Sequence, residues 1–160
     1  MKCMAILEVG NKAPNFELPN QDEENKTLED YKGKWLVAYF YPRDDTPGCT
    51  VEADEFSKDY KKFQKLGIDI IGISKDDVES HKKFCKKMSI PYILLADTTT
   101  KVSKLFGVWG KKKFMGKEYM GINRSTFLIN KKGKIFKVFE KVKPKGHSKE
   151  VLDAYINAEK

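Results

Sequence analysis

Two apolar runs, WLVAYFY (35–41) and IDIIGIS (68–74), flank a stretch in which Ala53, Phe56, Tyr60 and Phe63 recur at three- and four-residue steps. A near-continuous apolar run of this length reads as a strand covered on both faces. The three-four spacing reads as an amphipathic helix, and Gly67 marks its end. A strand, a helix and a strand in that order imply a parallel pair joined by a right-handed crossover.

The rest of the chain extends this unit. Residues 76–88 form a second helix with His81, Phe84, Cys85 and Met88 on one stripe, and Pro91 lies just beyond it. YILLA (92–96) continues as a short strand, a short helix covers about 99–106, and VWGKKKFMGKEYMGI is expected to be a loop. Strands at 125–129 and 134–139 are joined across 130–133 by a type I turn with Gly133 left-handed. A last helix near 148–157 turns Val151, Leu152 and Tyr155 inward. A parallel βαβ half, a β-hairpin and a closing helix make the thioredoxin-like α/β plan, a central mixed sheet flanked by helices, expected as one domain over residues 1–160. Topology alone assigns no activity.

Composition narrows the classes. A chain of 160 residues buries roughly two thirds of the surface its unfolded form exposes, so it needs no staples to fold. No apolar run approaches the ~20 residues of a membrane span, and the apolar patch at residues 4–7 is too short for a secretory leader. The expectation is a cytoplasmic protein that engages no membrane. Cys3, Cys49 and Cys85 are odd in number and widely spaced, which offers no disulfide framework and no zinc pattern, so no metal is expected. The net charge of +8 suggests nucleic acid, but Arg43 and Arg124 are the only arginines, and the lysines are spread throughout. Bidentate phosphate and base contacts favour arginine, so nucleic acid is not the expected partner.

The segment YPRDDTPGCTVEADEF (41–56) holds the chemistry. Read as a helix start, it puts Thr46 at the N-cap, Pro47 at N1, Gly48 at N2 and Cys49 at N3. A thiol in the first turn faces unpaired backbone N–H groups and the positive end of the helix dipole, both of which favour the thiolate, the form that attacks. Cys49 could instead be a small residue that fits a well-capped start, and the Thr46 hydroxyl could simply cap, contributing ~1 kcal/mol. Arg124, an arginine beside a strand start in a lysine-rich chain, suggests a need for the planar guanidinium, although a salt bridge to any carboxylate would also explain it. No Cys-x-x-Cys is present, which counts against a dithiol exchange protein. His81 lies in a helix stripe and His147 at a Lys-rich helix start, and both are expected to be structural or surface groups.

Pro42-x-x-x-Thr46-x-x-Cys49, within FYPRDDTPGCTVEA, resembles the active-site signature of the peroxiredoxins, in particular the bacterioferritin comigratory protein or peroxiredoxin Q subfamily. The likeness extends through GNKAPNFELPNQD, GISKDD, SHKKFC, LLAD and FGVWGKKKFMGKEYMGINRSTFLI to the terminal helix. It implies a cofactor-free thiol peroxidase for hydrogen peroxide and organic hydroperoxides, recycled by thioredoxin or a similar dithiol protein, and a monomer.

Under the resemblance, Cys49 is the peroxidatic cysteine. Thr46 and Arg124 hydrogen-bond the peroxide and the thiolate, Pro42 shields the pocket, and Glu52 supports Arg124. Many subfamily members carry the resolving cysteine five residues after the first, where this chain has Asp54. Others carry it in the next helix, where Cys85 stands; on residue chemistry alone Cys85 could instead be a buried, inert thiol. A disulfide needs Cα atoms within ~7 Å, so local unfolding of both helices is expected between the reduced and oxidised forms. Cys3 is assigned no role. The rival readings are a one-cysteine peroxidase resolved by an external thiol, a thiol–disulfide exchange protein, and a non-catalytic basic binding module on the same fold.

Overall fold

The structure, a computed structural model, describes residues 6–158. In chain order its elements are β1 (Glu17–Pro19), β2 (Asn25–Thr27), a 3-10 turn (Leu28–Tyr31), β3 (Trp35–Phe40), α1 (Pro47–Lys65), β4 (Ile68–Ser74) and α2 (Val78–Met88). These are followed by β5 (Ile93–Ala96), α3 (Lys101–Leu105), β6 (Trp109–Phe114), β7 (Lys117–Ile122), β8 (Ser125–Ile129), β9 (Ile135–Phe139) and α4 (His147–Ala158). Five strands form the central mixed sheet in the order β5-β4-β3-β8-β9. β3, β4 and β5 run parallel, whereas β8 is antiparallel to both β3 and β9. This is the thioredoxin-like architecture.

β3 shows why the first apolar run is continuous. Val37, Tyr39 and Tyr41 point to the face packed by α1, α2 and α4, while Leu36, Ala38 and Phe40 point to the face covered by α3 and the N-terminal segment. Both sets are essentially solvent-free, so neither face of the strand tolerates a polar residue. Gly72 on β4 reflects the same crowding: a Cβ there would lie 2.7 Å from a Leu94 methyl and 2.8 Å from the Tyr39 ring. Tyr39 stacks on Phe56 of α1 with ring centroids 4.8 Å apart, locking the helix to the sheet.

Helix ends follow their capping residues. Asp77 caps α2, accepting from the Ser80 N–H at 2.8 Å, so the helix opens at Val78 and not at residue 76. Ser89 closes it in the left-handed conformation. The β8–β9 connection is built as expected: Gly133 has φ 79° and donates to the Asn130 carbonyl at 3.0 Å.

The segment VWGKKKFMGKEYMGI corrects the sequence expectation: it is an antiparallel hairpin, β6–β7, and not a loop. Met115 and Gly116, with φ 51° and 81°, form the two-residue turn, whose doubly positive φ matches the twist of the flanking strands. Much of the hairpin stands in solvent, so its strands carry lysines where buried strands carry apolar residues, and the usual alternation is absent. The β1–β2 hairpin, only three residues per strand, also went unpredicted.

Candidate active site

β3 ends beside the start of β8, with Phe40 paired to Ser125, so the residue preceding β8 sits where the chain leaves β3 for α1. That residue is Arg124. Its Nη2 donates to Cys49 Sγ at 3.4 Å, and its Nη1 donates to Glu52 Oε1 at 2.7 Å. The sheet topology thus brings residues 75 apart in sequence into one cluster. The guanidinium packs against Gly48, where a Cβ would lie only 2.9 Å from Nη2 and 3.4 Å from the Pro144 ring. Gly48 is needed for this close approach.

Cys49 occupies the third position of α1 and is 1% exposed. The first-turn N–H groups around it lack intrahelical partners by the geometry of any helix start. Thr46 is the N-cap with an extended backbone, and its carbonyl accepts the first helical bond from Thr50 N–H at 2.9 Å. Its hydroxyl does not cap: it donates to the Arg43 carbonyl at 2.9 Å, which overturns the capping alternative. With its hydrogen engaged there, Thr46 Oγ1 is left as an acceptor. Pro42 is half-buried in the loop between β3 and α1.

Glu52 is fully buried one turn after Cys49, and its Oε2 has no hydrogen-bond partner among the described residues. Burial pushes its carboxyl up to about 7, against the lowering effect of the Arg124 charge and hydrogen bond. Arg124 stays above its ordinary value, because the attraction of Glu52 and Cys49 outweighs the cost of burial. Sequence reasoning did not reach Lys112. The β6–β7 hairpin carries it across Gly121 so that Nζ donates to the Ile122 carbonyl at 3.0 Å. Burial and the Arg124 charge lower its pKa, and Cys49 opposes them, which puts the ammonium within electrostatic reach of both groups. The only available signal was the lysine run 111–113, which reads as a solvated loop.

Cys85 lies on α2, half-buried against the same core cluster as Cys49, and both thiols are free. Burial, then the carboxylates of Asp44 and Asp22, push the Cys85 thiol up to about 12. Cys3 lies outside the described residues. His81 and His147 are both buried. His147 bridges Thr126 at 2.7 Å and Glu150 at 2.9 Å, bracing the strand that Arg124 precedes. Burial, its largest cause, holds the His147 pKa below the ordinary value. Among the described residues, no cluster of three His, Cys, Asp or Glu side chains is placed to hold a metal ion.

Comparison with known proteins gives a consistent result. The sequence profile of the AhpC/TSA family matches residues 9–138. The chain is 50% identical over 146 residues to Peroxiredoxin Bcp of Bacillus subtilis, covering 91% of this chain and 93% of that one. It is 44% identical over 150 residues to Peroxiredoxin Bcp of Escherichia coli, covering 94% and 96%. Among solved structures, a cysteine-to-serine mutant of Xylella fastidiosa PrxQ superposes with a TM-score of 0.93 at 34% identity, covering 98% of this chain and all of that one. The Xanthomonas campestris bacterioferritin comigratory protein, from work on its alkyl peroxide reduction activity, superposes with a TM-score of 0.88 at 36% identity and covers 98% of this chain and 100% of that one.

Proposed function

The chain belongs to the AhpC/TSA family as a peroxiredoxin of the Bcp type, a thiol peroxidase, and from that membership we propose that Cys49 is the peroxidatic cysteine of a two-cysteine cycle completed by Cys85. The observation that carries the assignment is the 3.4 Å contact from Arg124 Nη2 to Cys49 Sγ at the first turn of a helix. A peroxide oxygen beside that sulfur would meet the guanidinium and the helix-start amides as donors, with Thr46 Oγ1 as acceptor. Cys49 sulfur attacks the nearer oxygen, the O–O bond breaks, and the departing oxygen takes a proton to leave as water or an alcohol. Donors fixed where negative charge develops on that oxygen lower the barrier. Pro42 covers the site from the loop side.

The sulfenic acid on Cys49 is then attacked by the Cys85 sulfur. The S–S bond forms, the S–O bond breaks, and the oxygen leaves as water with the proton released from Cys85. A dithiol protein such as thioredoxin supplies the two electrons that reopen the disulfide. The substrates are hydrogen peroxide and organic hydroperoxides, in keeping with the alkyl peroxide reduction named for the Xanthomonas campestris relative. The protein acts as a monomer in a reducing compartment such as the cytoplasm, where its cysteines rest as thiols.

A one-cysteine cycle has one observation in its favour: Cys85, pushed up to about 12, is a poor nucleophile where it stands. Local opening of α2 relieves both causes, burial and the nearby carboxylates. Peroxide treatment followed by peptide mass analysis separates the two cycles. A Cys49–Cys85 disulfide is expected; Cys49 oxidised to sulfenic or sulfinic acid with Cys85 free would establish the one-cysteine cycle. Cys49→Ser abolishes peroxide consumption and Arg124→Lys cuts it sharply, while Cys3→Ser leaves it unchanged. Full turnover by Cys49→Ser would refute the assignment.

A further inference from the structure

Behind the peroxidatic loop lies a buried polar cluster that the reaction above does not use. Asp44, in the middle of the loop 42–46, accepts from Tyr41 OH at 2.6 Å through Oδ1 and from Ser80 Oγ at 2.8 Å through Oδ2. The same Oδ2 lies 2.7 Å from His81 Nδ1. His81 Nε2 lies 2.9 Å from the Leu95 carbonyl on β5. A carbonyl oxygen only accepts, so Nε2 carries a hydrogen, and a second hydrogen bridges Nδ1 and Oδ2. One imidazole, 0% exposed, therefore ties α2 both to the loop that feeds α1 and to the sheet. The loop backbone is tied as well, because Asp44 N–H donates to Asp76 Oδ2 at 2.8 Å just ahead of α2.

His81 stands one helical turn before Cys85, on the same face of α2. Both thiols are free and sit on separate helices, and pairing them in the proposed cycle is expected to move the first turn of α1 and the body of α2; this cluster joins the loop that leads into the one to the body of the other. We propose that His81 and Asp44 are positioning residues for the resolving step, forming a latch that holds α2 closed and withholds the Cys85 thiol until the helix opens. The proposal rests on the reading of Cys85 as the resolving cysteine. Two effects follow from the same pair. The imidazole fixes the helix, and burial, with the Asp44 carboxylate next and Asp22 after it, keeps the thiol protonated and so unreactive in the closed state. Cys49 sulfenic acid consequently persists for as long as the latch is shut, and its lifetime sets how much of it a second peroxide molecule converts to sulfinic acid.

Removing one hydrogen-bonding arm should open the latch. Glutamine at position 81 cannot reach Asp44 and Leu95 together, and asparagine at position 44 keeps the shape but loses the charge. In a Cys3→Ser, Cys49→Ser background, iodoacetamide alkylation of Cys85 is expected to be at least tenfold faster in His81→Gln than in the background protein. Asp44→Asn should also move the pH profile of that alkylation toward lower pH. Leu152→Ala is the control, since it destabilises the same core from α4 without touching the latch, and Cys85 alkylation in it should stay at the background rate. Equal rates in His81→Gln and the background, or equal acceleration in Leu152→Ala, would overturn the latch.

In the protein with all its cysteines, His81→Gln should form the Cys49–Cys85 disulfide faster and accumulate less sulfinic acid. If the unsubstituted protein forms no such disulfide, the two-cysteine cycle fails, and the alkylation rates still judge the latch. Should His81→Gln fold poorly, hydrogen exchange on the unsubstituted reduced protein replaces it. The amides of α2 should exchange together with those of the loop 42–46, and independent exchange of the two segments would overturn the proposal.

Discussion

Gly48→Ala tests the guanidinium's role by crowding it without altering its chemistry. The added Cβ would lie 2.9 Å from Arg124 Nη2 and 3.4 Å from Pro144 Cγ; the first contact is too short and the second is ordinary, so it is the guanidinium that must give way. An ordinary carbon–nitrogen contact asks for about half an ångström more. The guanidinium is planar and rigid. A shift of that size lengthens either the 3.4 Å contact to Cys49 or the 2.7 Å bond to Glu52, and the longer, softer contact to sulfur yields first. A hydrogen bond to a charged group is worth about 1.5–3 kcal/mol, and each ~1.4 kcal/mol is tenfold in rate. The rate of Cys49 oxidation by hydrogen peroxide, followed by rapid quench and mass analysis, should fall roughly 10- to 100-fold. Stability should change much less, because alanine's helix preference over glycine, up to roughly 0.5–1 kcal/mol, offsets part of the weakened contact. A slower enzyme with a urea midpoint near the parent's is the expected signature. A Gly48→Ala protein that reacts at the parent rate would show either that the guanidinium is not displaced or that it is not needed, and the reasoning fails in both cases.

Two further outcomes follow. Glu52→Gln should alter how stability depends on pH. A carboxyl whose folded pKa is raised from 4.5 to about 7 supports folding below 4.5, and this support is lost as pH climbs through 7. The group therefore gives the parent a decline of ~3 kcal/mol across that window, which urea titrations at pH 5 and pH 8 should find absent in Glu52→Gln; equal declines would refute it. Lys112→Met removes a half-buried cation within reach of Cys49 and should slow Cys49 oxidation up to about fivefold. In the parent, added salt should narrow the difference, and a rate unchanged at low salt would exclude a role for this lysine.

The βαβ half of the fold could be read from the sequence because its strands are buried on both faces and its helix on one, so solvent exclusion is written directly into periodicity. Cys49 could be placed at the third helical position for a local reason: proline, glycine and the N-cap threonine fix a helix start without help from distant residues. The β6–β7 hairpin could not, since strands facing water carry lysines, and with them went Lys112, whose approach to the site depends on that hairpin. Glu52 was legible as a partner of Arg124 only through the resemblance; its complete burial, and an Oε2 without a partner among the described residues, come from the packing of α1 against the segment that opens β8. The Thr46 hydroxyl leaves the capping role open to N-cap threonines unfilled, because the Arg43 carbonyl, whose position depends on the loop and not on the helix start, is the partner it takes.

Burial of the Glu52–Arg124 pair also limits how the site can move. Arg124 is anchored to the sheet through β8, and Glu52, 0% exposed, meets it from α1 only three residues after Cys49. Breaking a buried ion pair and leaving one charge behind costs about 3–5 kcal/mol, more than fraying a first helical turn, whose N–H groups lack intrahelical partners to begin with. The cheaper path for an oxidised Cys49 is therefore to unwind α1 only as far as residue 51, taking its sulfur away from the guanidinium while Glu52 stays in place. The same short segment is held from the other side by Asp44 and His81. Cys49 thus sits on a stretch of chain bounded by two buried polar clusters, Glu52–Arg124 on one side and Asp44–His81 on the other; in the proposed cycle the first would keep the arginine in position for the next peroxide and the second would time the release of Cys85.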